Sequence, residues 1–355
     1  MITQPSKSLS PTETDAFGRE LDAVRDRVLA DLGQRDVDHI RRIIRLVRYT
    51  ETGGRVLLHL GIGPLTFALG VTALGASKIL ENMEVGHNVM HGQYDWTGDP
   101  TLDSKTYEWD LVADSTHWRH SHNFEHHTFT NILGRDRDIG YTFLRISPLQ
   151  RWKPLHLVQP IGAALLALLF QWGVALHDLH LDQSFTGRQP FAELRRRATP
   201  VLRKAGWQLA KDYLVFPALA LANAPRVALG NLLANGIRNV WTFAIIFCGH
   251  FPDGTRVYHK DEVTDERRGD WYLRQLNGSA NISGSHALHV LSGHLSHQIE
   301  HHLFPDLPAA RYPEIAPEVR EICARYGQSY NTGSFAAQLG SVAKLLVRHA
   351  LPTAA

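Results

Sequence analysis

Seven histidines are packed into three short boxes: His87-Asn-Val-Met-His91, His122-Asn-Phe-Glu-His126-His127 and Gln298-Ile-Glu-His301-His302. Imidazole is a ligand for iron, zinc, copper and nickel. A structural zinc is satisfied by four ligands and a catalytic zinc by three plus water. The boxes hold more imidazoles than one ion needs, so the count points to two metal ions with positions left open for oxygen. On a helix, His87 and His91 lie on one face about a turn apart. His122 and His126 repeat that geometry and His127 widens the set. Gln298, His301 and His302 share a face in the same way. Neutral imidazoles leave the charge of such a site to the metals, their bound oxygen species and nearby carboxylates. Metal-binding rings also need hydrogen-bond partners that orient them. Glu84, Glu125, Asp136, Asp138 and Glu300 lie beside the boxes and are candidates for that role.

One histidine pair is ordinarily a hydrogen-bonded core or surface pair, but three boxes in one chain exceed that explanation. A metal-storage loop would show histidine repeated in low complexity, and no such segment occurs. The chain has 355 residues and a formal net charge of +2, which gives no sign of nucleic-acid binding. Its two cysteines, Cys248 and Cys323, exclude a disulfide scaffold or a thiolate metal site and fit a reducing compartment. No apolar stretch follows a basic start within residues 1–18, so no secretory signal is expected.

The elements that must position the boxes are apolar. Mean hydropathy is −0.20, a soluble average. It hides apolar runs at 56–80, 157–176 and 213–251, and a bilayer crossing needs roughly 20 such residues. Residues 39–48 alternate basic and apolar side chains at helical spacing, an amphipathic helix suited to an anionic membrane surface. Only a polar loop separates His91 from His122, so boxes one and two share a membrane face. Box three must return to that face, which requires an even number of crossings between His127 and Gln298. Residues 177–212 carry Arg188, Arg195, Arg196, Arg197, Arg203, Lys204 and Lys211 and read as a cytoplasmic loop. The even count then comes from a hairpin within 213–251, with 157–176 lying in the interface. Arg41, Arg42, Arg45 and Arg48 place the N-terminus on the same side. That demands two crossings before His87, yet residues 56–84 at ~1.5 Å each are short for two. Residues 1–38 read as an N-terminal cytosolic tail with some helix, and 39–355 as one membrane domain ending in a proline-led helical cap.

The boxes, in this order, resemble those of the membrane fatty acyl desaturases: HX(3–4)H, HX(2–3)HH and (H/Q)XXHH. The third box, within His297-Gln-Ile-Glu-His-His-Leu-Phe-Pro305, takes the form that begins with glutamine. The stretch Glu81-Asn-Met-Glu-Val-Gly-His-Asn-Val-Met-His-Gly-Gln93, the pair Thr130-Asn131 and the run Cys248-Gly-His-Phe-Pro252 are similar to actinobacterial acyl-CoA desaturases of the stearoyl-CoA Δ9 type. The likeness covers nearly the whole chain. It implies an all-α fold: an integral membrane helical bundle of about four crossing helices under a cytosolic helical cap that holds the histidines. It further implies two iron ions and O2-dependent desaturation of a long-chain acyl group, stearoyl-CoA to oleoyl-CoA. The location implied is the cytoplasmic membrane, with the site facing the cytosol.

The same resemblance adds His250, at the end of the last apolar run, to the ligand set. That set becomes His87, His91, His122, His126, His127, His250, His301 and His302, with Gln298 in a ninth position. His297, Glu125, Glu300 and Asp138 remain as further ligands or as partners of the ligand rings. His117, His120 and His294 lie near the boxes but outside the spacing, and His39 and His177 match no box. Arg151, Lys153, Arg195, Arg196 and Arg197 are candidates for the phosphates of a CoA head group. Trp96, Trp109, Trp118 and Trp152 are candidates for lining an acyl tunnel.

The chain shows no cysteine-rich iron–sulfur pattern, no GxGxxG motif and no His-Pro-Gly-Gly haem motif. Electrons are therefore expected from a separate NADPH-dependent flavin/iron–sulfur oxidoreductase or ferredoxin. Three readings compete with Δ9 desaturation. A front-end (Δ5/Δ6-type) desaturase has glutamine in box three as its usual mark. A lipid hydroxylase would use the same scaffold. A metal transporter would set ionisable ligands along a path inside its spans, whereas these boxes sit at span ends.

Overall fold

The computed structural model describes residues 6–352, which are mostly helical. Helix α1 spans Pro11–Ala30 and starts at a reciprocal cap. Glu13 N donates to Ser10 Oγ, and Ser10 N donates to Glu13 Oε2 at 2.8 Å, with proline in the first turn where no donor is missed. Its apolar stripe, Phe17, Leu21, Val24 and Val28, is buried in one core with Tyr272, Ile299, Phe304 and Tyr312. Residues 11–30 are therefore built into the body of the protein, and the boundary expected at 38 does not detach a tail.

Helices α2 (Gln34–Leu60) and α3 (Gly63–Met90) form a hairpin. The chain reverses at Gly61 and Gly63, whose φ angles of 69° and 71° lie in the left-handed region glycine enters without a steric penalty. The limbs touch closely, because a Cβ at Gly54 would lie 2.8 Å from Leu74 N. The run 56–80 is thus not one crossing but the two sides of a turn. The first limb begins at Gln34, well before the run 56–80, and of the two limbs only 63–90 is long and apolar enough to cross a membrane.

Helix α4 (115–129) carries box two. Helices α5 (Gln159–Leu168) and α6 (Phe170–His177) are bent by 101° at their junction, so the run 157–176 is not a straight crossing. Residues 177–212, expected as a loop, are largely helical, and α7 (191–219) pairs with α8 (Ala224–His250) in a second hairpin. The hairpin expected within 213–251 exists, but its first limb starts over twenty residues earlier, because the basic residues 195–197 sit on a helix rather than ending one. The tips of both hairpins meet: Asn223 Nδ2 donates to His59 O at 3.0 Å and Arg226 Nη2 to Gly63 O at 2.8 Å.

Among the described residues two helices, 63–90 and 221–250, are long and apolar enough to cross a membrane, or three if the bent α5–α6 pair counts as one. At the end away from the tips lie α9 (Arg268–Asn277), α10 (Gln298–Leu303), α11 (Tyr312–Arg325) and α12 (Phe335–Ala350). A short parallel pair, β1 (Asn281–Ser283) with β2 (Thr332–Ser334), ties the segment before box three to the segment before α12. A buried ion pair, Arg311 Nη2 to Asp36 Oδ2 at 2.7 Å, joins the start of α2 to the start of α11.

Candidate metal centre

Both histidine-bearing helices of the first two boxes widen into π-helix where the ligands begin, over Glu81–His87 in α3 and Arg119–His126 in α4. A π-helix bonds i to i+5 and is frequent at functional sites. Its wider turn lets residues four and five apart share a face, and it is there that His122, His126 and His127 point the same way. Box three occupies a six-residue helix, α10, all of whose residues are buried. His250 ends α8 beside it.

The eight candidate imidazoles meet in one cluster. Ring nitrogens of His87, His91, His122 and His301 lie within 4.8 Å of one another, and those of His126, His250 and His302 form a second such group. His127 stands between the groups, its ring 4.8 Å from His91 and 4.5 Å from His302. The histidine spacing in sequence thus becomes two adjacent sets of donors in space.

The other ring nitrogens are engaged from behind. His126 Nδ1 is 3.1 Å from Asp136 Oδ2, and His302 Nδ1 is 2.9 Å from Gln275 Oε1. His87 Nδ1 is 3.0 Å from Asn88 Oδ1, and His301 Nδ1 is 3.5 Å from the Tyr312 hydroxyl. His122 Nδ1 lies 3.8 Å from Asp138. What remains is a set of buried ring nitrogens with no partner among the described residues: Nε2 of His91, His122, His126, His301 and His302, Nδ1 of His250, and both nitrogens of His127. A buried polar atom left unsatisfied costs about 1–3 kcal/mol. So many facing one space fit a pair of bound metal ions, and the all-nitrogen donor set suits a transition metal rather than calcium or magnesium.

Electrostatics favours lone pairs over protons. Burial, reinforced by the neighbouring imidazoles, holds His127, His301 and His302 well below the usual histidine value. His126 moves the other way: burial opposes its proton, but the Asp136 and Asp138 carboxylates overcome that and raise it. The carboxylates stand one step behind the rings, where they orient imidazoles and add basicity.

The remaining candidates divide. Gln298 lies against the cluster, its Nε2 3.1 Å from His250 Nε2 and its Oε1 buried without a partner among the described residues. Asp138 sits between His122, His126 and His177, 3.2 Å from the last. His297 turns away, its ring 4.7 Å from His289. Glu125 faces His120 at 3.4 Å. Glu300 is held by Asn281 and Tyr330 at 2.8 and 2.7 Å, behind box three. Arg195 is exposed, while Arg196 and Arg197 both bind Glu193. Arg151 and Lys153 are exposed. Asn88, Gln275, Tyr312 and His177 were not anticipated. Asn88 stood inside box one and was open to notice, but Gln275 and Tyr312 belong to other helices and carry no mark in the sequence.

A cavity adjoins the rings of His87, His122 and His250. Trp109 and Trp118 line it, as do Asn82, Gln171, Arg238 and Thr242. A second cavity of about 790 Å³, with apolar walls that include Leu168, Trp172, Leu232, Val240 and Phe335, shares Gln171 and Asn239 with the first. Trp96 is exposed and Trp152 bonds Ala350 O, so neither lines these spaces.

Comparison with known proteins agrees with this arrangement. Residues 62–334 match the fatty acid desaturase family. An NADPH-dependent stearoyl-CoA 9-desaturase of Mycobacterium tuberculosis is 46% identical over 348 residues, 97% of this chain and 82% of the relative. An sn-1 linoleoyl-lipid 6-desaturase of Synechocystis is 27% identical over 339 residues, 90% of this chain and 91% of the relative. Human fatty acid desaturase 3 is 28% identical over 239 residues, 66% of this chain and 51% of the relative. With the three boxes folded into one cluster and the match running through most of the chain, this protein belongs to the fatty acid desaturase family.

Proposed function

We propose that the chain introduces a double bond into a long-chain acyl-CoA, between C9 and C10 of stearoyl-CoA, with two iron ions held by the eight imidazoles. The observation that carries this reading is the double set of unpartnered ring nitrogens beside a tryptophan-walled cavity. A redox-active iron pair supplies the oxidising power for unactivated CH2 groups, using O2 and electrons from a separate NADPH-dependent flavin/iron–sulfur oxidoreductase or ferredoxin. The protein's own work is positional. His87, His91, His122 and His301 hold one ion, His126, His250 and His302 the other, and His127 serves the space between them. Asp136, Gln275, Asn88 and Tyr312 fix the ring orientations. Trp109 and Trp118 hold the acyl chain against the rings, and the apolar second cavity takes another part of it. Arg151, Lys153 and Arg195–Arg197 bind the phosphates of CoA.

Four helical limbs, α2, α3, α7 and α8, cross the cytoplasmic membrane, and 39–355 is the desaturase domain with α1 docked on it. Support comes from the hairpin tips meeting at one end, while the histidines and the basic residues Arg41 and Arg197 lie at the other. Cationic ends favour the cytosol, which makes the histidine-bearing end a cytosolic cap. A front-end reading has one specific support, the glutamine that opens box three.

The test is expression with a reductase in a host fed stearate, with mass spectrometry that locates double bonds. Wild type is expected to yield 18:1 Δ9 and His301→Ala none. A second double bond nearer the carboxyl end moves the assignment to the front-end class, and a hydroxylated product to a hydroxylase.

A further inference from the structure

Outside the dimetal cluster, one other group of side chains among the described residues has the donors of a metal site. His39 comes from the first turns of α2, Glu84 from the π-helical part of α3, and His294 from the turn that leads into box three. His39 Nε2 lies 2.7 Å from Glu84 Oε1, and His294 Nδ1 lies 2.9 Å from Glu84 Oε2. The two rings are 5.8 Å apart, and the donor atoms of all three residues lie within 4.8 Å of one another. The Glu84 side chain is 1% exposed and that of His294 2%, while His39 at 19% reaches the surface.

The charge of Glu84 is the point of interest. Asp36 and Asp212 are as deeply buried, and each meets a fixed cation, Arg311 and Lys78. Glu84 meets only the two imidazoles among the described residues. A buried carboxylate needs a partner of opposite charge. The two rings carry a positive charge only when protonated, whereas a bound cation supplies that charge with both rings as neutral donors. Asp136 and Asp138, which also face imidazoles, lie against the candidate metal centre, whereas Asp114, Glu125 and Asp261 face His117, His120 and His259 nearer the surface.

Backbone geometry gives a second observation. His294 sits at φ 57°, a left-handed conformation that a non-glycine residue adopts at a cost, and it is fully buried. Gly293, also left-handed, packs so tightly that a Cβ there would lie 2.2 Å from Met83 O. The turn is thus pressed onto α3 in a strained form that delivers His294 Nδ1 to Glu84.

We propose that His39, Glu84 and His294 bind a divalent transition-metal ion of the zinc class, separate from the dimetal centre. Two imidazoles and one carboxylate leave a position for water and suit zinc or iron(II). The ion neutralises the Glu84 carboxylate and clamps α2, the helix of box one and the lead-in to box three. Half-buried His39 is the route by which it enters.

The test uses two substitutions that keep the hydrogen bonds but remove the imidazoles. H39Q places an amide where Nε2 stood. H294N does the same for Nδ1, and asparagine tolerates the left-handed backbone. The full-length proteins are dialysed to saturation against zinc, freed of excess, and assayed for metal per chain by mass spectrometry. Each variant is expected to hold about one ion fewer than wild type, and zinc added after chelation is expected to raise the melting temperature of wild type more than of either variant. Equal metal content in all three proteins overturns the proposal and leaves a hydrogen-bonded clamp. Should both variants fail to fold, saturated wild type decides alone, because two ions or fewer per chain overturns the site. The difference between wild type and variants does not depend on which metal fills the main cluster, so failure here leaves the proposed function standing.

Discussion

Boxes two and three present the same chemical face to the candidate metal centre but are held in place by different means. His122, His126 and His127 stand on one continuous helix, and the carboxylates behind them, Asp136 and Asp138, follow within the next dozen residues. His301 and His302 stand on a helix of only six residues, and their anchors, Tyr312 and Gln275, come from α11 and α9. Box two is oriented by charge from its own neighbourhood. Box three is oriented by neutral groups that the cap brings in, and α1 helps build that cap through Phe17 and Leu21. The contrast teaches that one cluster can depend on local chain geometry on one side and on tertiary packing on the other.

Perturbations at the two boxes should therefore differ in kind. The largest effect is expected where the boxes agree: His127→Ala, like His301→Ala, should remove product altogether and reduce bound metal, measured on the purified protein. Next comes Asp136→Ala. It removes the charged anchor of His126 and the acceptor of Asn131 N and Asp138 N, so a 10–100-fold loss of metal affinity or activity is expected, the usual range for such partners, beside a stability loss of about 1–3 kcal/mol from the stranded N–H groups. Leu303→Ala should show a different pattern. It opens the cap core beneath box three and is expected to cost about 2–5 kcal/mol in stability, with activity lost only as the cap loosens on warming. Tyr312→Phe should be the smallest of these. Its contact with His301 is long, and a neutral hydrogen bond contributes about 1 kcal/mol, so a few-fold drop in turnover is expected. If Asp136→Ala unfolded the protein and Leu303→Ala left its stability unchanged, the distinction between the boxes would be wrong.

The sequence by itself determined that imidazoles in three boxes are the candidate donors. His87 to His91 and His122 to His126 are separated by about one helical turn, so any helix there places each pair on one face, and imidazole is a donor for transition metals. It also determined that apolar helices carry them and that a basic segment lies nearby. Asp136 and Asp138 were legible as partners because they follow box two at short range. Where reading along the chain went astray, the cause was local ambiguity. The run 56–80 is apolar on both sides of Gly61, and hydropathy does not distinguish a turn inside such a run from continuous helix. Residues 177–212 are basic, and charge alone does not distinguish a loop from helix α7, which begins within them.

Only the tertiary structure decided which of the histidines near the boxes face the cluster. His297 is adjacent to Gln298 yet turns toward His289, while His250, almost fifty residues away, meets Gln298 directly. The same holds for Gln275, Tyr312 and the joining of His39 to Glu84 and His294. Their sequence separations carry no periodic signal, because the contacts are set by how α2, α3, α9 and α11 pack. That packing depends on the summed burial of many apolar side chains, none of which announces its partner.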